Sequence, residues 1–321
     1  MLSRRTLVAS IALMPFVEPA AAVDWPQRPV RIIFPYAAGS TGDATARLFA
    51  RWLGDALGQP FIVENRVAAN GIVGTEAVAR SAPDGYTLLW AVTPQIAISP
   101  AMAKVPYDPI KDFVPISAIS TNRFALIVNA KMPVQTVAEF VDYVRARPND
   151  FAYAEGGAGS ISHLAMVLFL TRAGLTATNV SYKGTAPALT DVVAGHLPAM
   201  FSLFGDGLSQ MESGFVRMLA VSSAQRSAQA PNVPTIAEAG FPGFAITSWW
   251  GLLAPAGTPK PIVDRIAVEI AQATKDPTIV KQLTNFGVDP VGSSPADFAA
   301  MISSDIALWA NAVRLAGLQG P

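Results

Sequence analysis

The stretch that decides the fold is "FPYAAGSTGDATAR", residues 34–47. It joins the end of an apolar strand-like run, "PVRIIF" (29–34), to a loop of very small residues and then to a helical pattern. Phe49, Trp52, Leu53, Ala56 and Leu57 recur at the spacing of one helix face until Gly58 stops them. Strand, small-residue loop and helix in that order is the opening of an α/β unit.

Working outward, "FIVEN" (61–65) reads as the next strand, followed by a helix expected from Gly74 to Arg80. The turn "PDG" (83–85) then leads into a strand "YTLLWAV" (86–92). A βαβαβ unit of this kind implies a mostly parallel sheet. The same order returns in "FAYAEGGAGSISHLAMVLFLTRAG" (151–174), with Leu164, Val167 and Leu168 on one face and Gly174 as the stop. Strand candidates "NVSY" (179–182), "AMFSLF" (199–204) and "VRMLAVSS" (216–223) follow, and from "PIVDRIAVEIAQATKD" (261–276) onward the chain is largely helical and should cover the outside of a sheet.

In an open parallel sheet, ligands bind beyond the carboxyl ends of the strands. A helix starting there directs free N–H groups and a partial positive charge into the crevice. Gly39, Ser40, Thr41 and Gly42 can do this on one side, and Gly156, Gly157, Gly159 and Ser160 on the other. The plainer reading is that both loops are ordinary strand-to-helix connections in which Gly and Ser serve turns and caps. "GAGSIS" (157–162) lacks the last Gly of a dinucleotide fingerprint and has no acidic residue about 20 positions on, which argues against nucleotide binding.

The N-terminus, "MLSRRTLVASIALMPFVEPAAA" (1–22), has two arginines, an apolar run broken by Pro15, Glu18 and Pro19, and small residues ending at Ala22. That is the order of a secretory signal peptide, and the run is short of the roughly 20 residues a membrane span needs. Export by the general secretory route is expected, with the twin-arginine route suggested by "SRRTL" as the alternative. The chain has no cysteine, so neither a disulfide framework nor a thiol for lipid attachment exists. It carries 23 basic and 23 acidic residues. That balance excludes nucleic acid or a membrane surface as a partner held by a general electrostatic field.

Nucleophilic hydrolysis needs an activated Ser or Cys beside a His and a carboxylate, yet the chain has only two histidines, His163 and His196, and no G-x-S-x-G elbow. No His, Cys or acidic cluster has metal-ligand spacing. The chain is therefore read as a binding protein without cofactor or metal, and a carboxylate-only hydrolase is the remaining enzyme reading.

Six successive blocks carry a family resemblance: "WPQRPVRIIFPYAAGSTGDATAR", "VENRVAANGIVGTEAVARSAPDGYTLL", "YDPIKDFVPIS", "SYKGTAPALTDVVAGH", "PNVPTIAEAGFPGF" and "WWGLLAPAGTPKPIVDRI". In order and over nearly the whole chain, they resemble the Bug (TctC-like) solute-binding proteins of tripartite tricarboxylate transport. The resemblance implies a periplasmic, monomeric receptor of two α/β domains joined by crossing strands. Residues 23–123 with 249–321 would form the first domain and 124–248 the second. Such a receptor closes on a small carboxylate and delivers it to membrane permease subunits. A sensor for a membrane signalling protein would use the same cleft.

Carried onto this chain, the resemblance assigns ligand contacts to Tyr36, Ala37, Ala38, Gly39, Ser40, Thr41 and Asp43 in the first loop. The second loop would supply Glu155, Gly156, Gly157, Gly159 and Ser160, with His163 just inside its helix, and Thr93, Lys183 and Gly184 would flank the cleft. Asp43 and His163 also have structural readings, as a helix-terminus charge and a hydrogen-bonder. Two positions depart from the family pattern: Ser40 stands where a second Gly is usual, and Glu155 where a Ser is usual. A carboxylate at 155 either meets a donor group of the ligand or turns away to water.

Overall fold

In the computed structural model, residues 24–67, 71–148 and 150–320 are described, and the leader expected at 1–22 lies outside them. Strand β1 (Val30–Phe34) feeds the first loop and helix α1 (Thr41–Leu57), then come β2 (Phe61–Asn65), α2 (Ile72–Ala79) and β3 (Thr87–Val92). β1 lies between β2 and β3 and is parallel to both. Ser40 caps α1, its hydroxyl accepting from the Asp43 N–H, and Gly58 ends the helix at φ +75°. The second helix begins at Ile72 rather than Gly74, because Gly71, at φ +88°, is its N-cap. A π turn (Pro94–Ile98) and α3 (Ser99–Met102) follow, with Ala97 and Ile98 reaching the core that also holds Leu126 and Phe169.

Strand β4 (Phe113–Asn129) is the pivot of the architecture. It is followed by α4 (Val137–Arg145), β5 (Ala152–Glu155), α5 (Ile161–Ala173), β6 (Thr178–Ser181), α6 (Thr185–Ala194), β7 (Ala199–Leu203), α7 (Phe204–Glu212) and β8 (Val216–Val221). Then come β9 (Thr247–Pro255), α8 (Lys260–Ala273), α9 (Pro277–Asn285), β10 (Asp289–Pro290) and α10 (Pro295–Leu315). From Phe113 to Arg123, β4 pairs with β9; from Phe124 to Val128 it pairs with β7, and from Ala125 to Asn129 also with β8. Every antiparallel pairing involves β4 or β9, and the other pairings, β2–β1–β3 and β5–β6, are parallel. The result is a two-lobed α/β fold in which the long strands cross between lobes.

The register fixes strand directions. β3 is antiparallel to β9 and β9 to β4, so β1, β2 and β3 run the same way as β4 and end toward the second lobe. β7 and β8 run against β4 and end toward the first lobe. The crossing is tied at Ser222: its hydroxyl accepts from Phe124 N at 2.9 Å and donates to Ile246 O, while Ser222 N donates to Phe124 O and Ile246 N to Ser222 O, both at 2.8 Å.

Each lobe has its own apolar core. Phe49 and Leu53 of α1 pack with Ile32, Leu88 and Trp90 of the sheet, and Ile262, Ile266 and Ile270 of α8 cover the same core. In the second lobe, α5 is buried through Leu164, Ala165, Leu168 and Phe169 against Leu126, Val128 and Phe201. Each of the Leu, Ile, Val and Phe side chains among these contributes about 1.5–3 kcal/mol of transfer free energy. Helix α10 belongs to both halves. Phe298 and Ile302 pack with Trp249 and Leu253, whereas Trp309, Ala312 and Val313 lie in the core with α5. Division at the strands thus divides the sheets but not this helix.

Candidate functional site

The first loop is organised from below by Asp43. This residue lies in the first turn of α1 and is 4 % exposed. Its carboxylate accepts from Gly39 N at 3.1 Å, from Arg47 Nε and Nη2 at 3.0 and 3.1 Å, and from Asn65 Nδ2 at 2.9 Å. Asn65 Nδ2 also donates to Tyr36 O at 3.1 Å, so one amide group ties both ends of the loop. Burial pushes the Asp43 carboxyl up, but the bonds from Arg47, Asn65 and Gly39 and the Arg47 charge outweigh it and hold the group below its ordinary value. With its acceptor sites occupied, Asp43 shapes the loop and is not a free ligand contact. Arg47 could have been found as the i+4 partner of Asp43; Asn65, on another strand, leaves no local signal.

What this scaffold presents is backbone. Ala37, Ala38, Gly39, Ser40 and Thr41 are exposed. The N–H groups of Ala38, Ser40, Thr41 and Gly42 have no hydrogen-bond partner among the described residues. Gly39, at φ +85°, has no heavy atom within 4 Å of where a Cβ would stand, so space lies open above it. Gly42 faces inward, where a Cβ would meet the Phe34 ring at 3.1 Å. Tyr36 is half-buried beside Phe34, with ring centroids 5.8 Å apart, and burial pushes its phenol to about 12. It packs in its neutral form.

The second loop has the same plan. Ser160 caps α5 by accepting from His163 N at 3.2 Å. Four of its N–H groups are used internally: Gly156 N donates to Ser162 Oγ at 2.9 Å, Gly157 N to Glu155 Oε2, Gly159 N to His163 Nδ1 at 3.2 Å, and Ser160 N to Gly157 O at 2.9 Å, whereas those of Ala158, Ile161 and Ser162 have no partner among the described residues. Glu155 is fully buried and points neither to water nor freely into a crevice. Ser160 Oγ and Asn179 Nδ2 each stand 3.5 Å from its carboxylate. Because His163 Nδ1 accepts, its proton is on Nε2. Burial lowers the His163 pKa, and the Glu155 charge only partly offsets this, so the ring is neutral near pH 7.

The flanking positions separate. Thr93 is fully buried, its hydroxyl accepting from Trp249 N at 2.9 Å, and joins the first lobe to the crossing strand. Lys183 is exposed and has no ion pair among the described residues. Gly184 lies against Gly156: a Cβ on Gly156 would meet Gly184 C at 3.3 Å and Thr185 N at 3.1 Å. Gly159 abuts α3: a Cβ there would run into the Met102 side chain, which packs against the core that also holds α5. The first loop, at the end of β1, lies toward the second lobe, and the second loop touches α3. Two surface cavities of about 400 and 530 Å³ lie elsewhere, beside Arg123 and Arg226 and beside Arg28 and Arg31, and no residue of either loop lines them. Among the described residues no cluster of His, Cys, Asp or Glu could hold a metal ion, and no helix is long and apolar enough to cross a membrane.

Comparison with known proteins gives the family. Residues 45–318 match the family model for the tripartite tricarboxylate transporter family receptor, TctC. Protein BugT of Bordetella pertussis is 35 % identical over 309 residues, 96 % of this chain and 95 % of BugT. The structure of R. palustris Rpa4515 with adipate is 35 % identical with a TM-score of 0.77, covering 92 % of this chain and 99 % of that one. MatC from Rhodopseudomonas palustris with bound malate is 31 % identical with a TM-score of 0.73, covering 90 % and 100 % of the two chains. The chain thus belongs to the TctC family of tripartite tricarboxylate transporter receptors.

Proposed function

We propose that this protein is an exported, periplasmic receptor that captures a small carboxylate between its lobes and hands it to the membrane permease subunits of a tripartite transporter. The observation that carries the reading is the first loop. Unpartnered N–H groups of Ala38, Ser40, Thr41 and Gly42 surround an open glycine at the N-terminus of α1, an arrangement suited to a carboxylate. The helix terminus contributes only about 0.3–2 kcal/mol, whereas micromolar affinity needs about 8 kcal/mol. The second lobe must therefore close over the ligand and bury it. The sheets divide at Arg123–Phe124 and again near Ser248, and closure bends the chain there. Tyr36, Thr41, Gly156, Lys183 and Gly184 line the closing faces in this reading.

The ligands of the two solved relatives support the carboxylate class. The large exposed apolar residues, among them Ile62, Val73, Phe215 and Val268, are spread over separate elements, which supports a monomer. Native mass spectrometry of the protein as purified identifies the bound small molecule, and small-angle scattering with and without it tests the mechanism. A smaller radius of gyration at saturation is expected. Unchanged scattering with a bound ligand would overturn lobe closure.

A further inference from the structure

The cavity of about 400 Å³ beside Arg123 and Arg226 has walls from both lobes. Thr121, Arg123, Thr247 and Asp289 come from the first lobe's sheet, where Arg123 pairs with Thr247 and Thr121 with Asp289. The segment 223–226, just past β8, lines the cavity from the second lobe. Two guanidinium groups and one carboxylate are among the lining groups, which leaves one positive charge in excess. The hydrogen-bond donors around this space are largely unspent. Arg123 is the more enclosed of the two arginines, with its side chain 13 % exposed and its guanidinium over the Phe204 ring at 5.4 Å. Its Nη2 donates to Asp289 Oδ2, but neither the buried Nε nor Nη1 has an acceptor among the described residues. Arg226 is held in place by Glu238 Oε2, 2.8 Å from Nε, and by Pro231 O, 3.0 Å from Nη1, which leaves Nη2 without a partner among the described residues. Glu238 itself does not line the cavity. The hydroxyls of Thr121 and Thr247 likewise have no hydrogen-bond partner among the described residues.

We propose that this cavity is a second binding site, for a phosphate group, either free or at the end of a small phosphomonoester. Its donors come from three segments: β4, the start of β9 and residues 223–226. A tetrahedral phosphate presents acceptor oxygens in several directions at once, whereas a carboxylate presents two in one plane. Guanidinium groups bond phosphate oxygens in pairs and with charge assistance. Asp289 takes only one nitrogen of Arg123, so the remaining donors are available to an anion. The site shares no residue with the first loop and does not depend on the receptor reading. An occupant held by both Arg123 and Arg226 touches both lobes at their crossing.

The test is calorimetric titration of the full mature chain with inorganic phosphate and, separately, with glycerol phosphate, at about neutral pH and fixed ionic strength. At least one of them should bind with a dissociation constant of roughly 1 mM or tighter, and the better of the two tells free phosphate from a phosphomonoester. Arg226→Gln should weaken that binding at least about tenfold. Thr121→Val, which keeps the shape and removes one hydroxyl, should weaken it about threefold or more, and it decides the matter if Arg226→Gln folds poorly. Gly39→Val, which fills the space over the first loop, should leave phosphate binding unchanged. No binding of either compound up to about 10 mM overturns the proposal. Binding that survives Arg226→Gln and Thr121→Val but is lost in Gly39→Val assigns the phosphate to the first loop and overturns the second site, with the receptor reading intact.

Discussion

Replacing Asp305 by Asn should make the protein more stable, and only above the pH at which an ordinary carboxyl loses its proton. Asp305 lies on α10 and its Oδ2 accepts from the Trp249 indole N–H at 2.8 Å. Trp249 is 1 % exposed on the crossing strand β9, edge-on to Phe298 with centroids 5.0 Å apart. Burial raises the Asp305 carboxyl from 3.8 to about 6, against the bond from Trp249. Well below pH 3.8 the folded and unfolded chains both hold the proton and the site costs nothing. As pH rises through this interval the unfolded chain releases its proton first, so the native state loses stability until the folded group also ionises near pH 6. A shift of about two units corresponds to roughly 3 kcal/mol, present in full at pH 7.5. Asparagine retains an oxygen for the indole and carries no charge, so the variant should gain about 1–3 kcal/mol at pH 7.5 and about 0 at pH 4. For a chain of this size that is a melting-temperature rise of roughly 2–10 °C. Calorimetric melts of both proteins at pH 4, 5, 6 and 7.5 measure it. A difference between the two that does not vary with pH would refute the assignment of the cost to a buried ionised carboxylate.

Two further perturbations address the site and the crossing. Gly39→Val puts a branched side chain at φ +85° into the open space over the first loop; binding should fall beyond calorimetric detection while stability drops only about 1–2 kcal/mol for the backbone strain, and retained affinity would place the ligand elsewhere. Ser222→Ala deletes the hydroxyl that accepts from Phe124 N and donates to Ile246 O; leaving those groups buried should cost about 1–3 kcal/mol in urea titrations, and an unchanged midpoint would mean that water or a shifted backbone replaces the bond.

The parts of this fold that were legible in the sequence are those whose hydrogen bonds close within a few residues. Ser40 and Ser160 cap helices that Gly58 and Gly174 end, and the recurrence of that order revealed two related loops. β2 matches its expected span, and β7 stops one residue early because Phe204 already begins α7. What the sequence hid depends on partners far along the chain. Asn65 holds Asp43 from 22 positions away, and Trp249 meets Asp305 across 56. The direction taken by Glu155 was open for the same reason. Its choice between water and the cleft turned out to be neither, since its own loop satisfies it, with Asn179 nearby. Open backbone amides, which define the first loop, are invisible to any reading of side chains.

Helix α10 gives the molecule a third tie. Two adjacent strands, β4 and β9, would by themselves let one half swing, twist or slide against the other. The helix is anchored at one end through Phe298 and Ile302, against Trp249 and Leu253 of β9, and at the other through Trp309 and Val313, and it lays a rod of 21 residues against the strand pair. A rod packed into both cores resists rotation of one half about the strands, so any movement that parts loops 35–43 and 155–160 has to loosen the seat of α10 at one of its two ends.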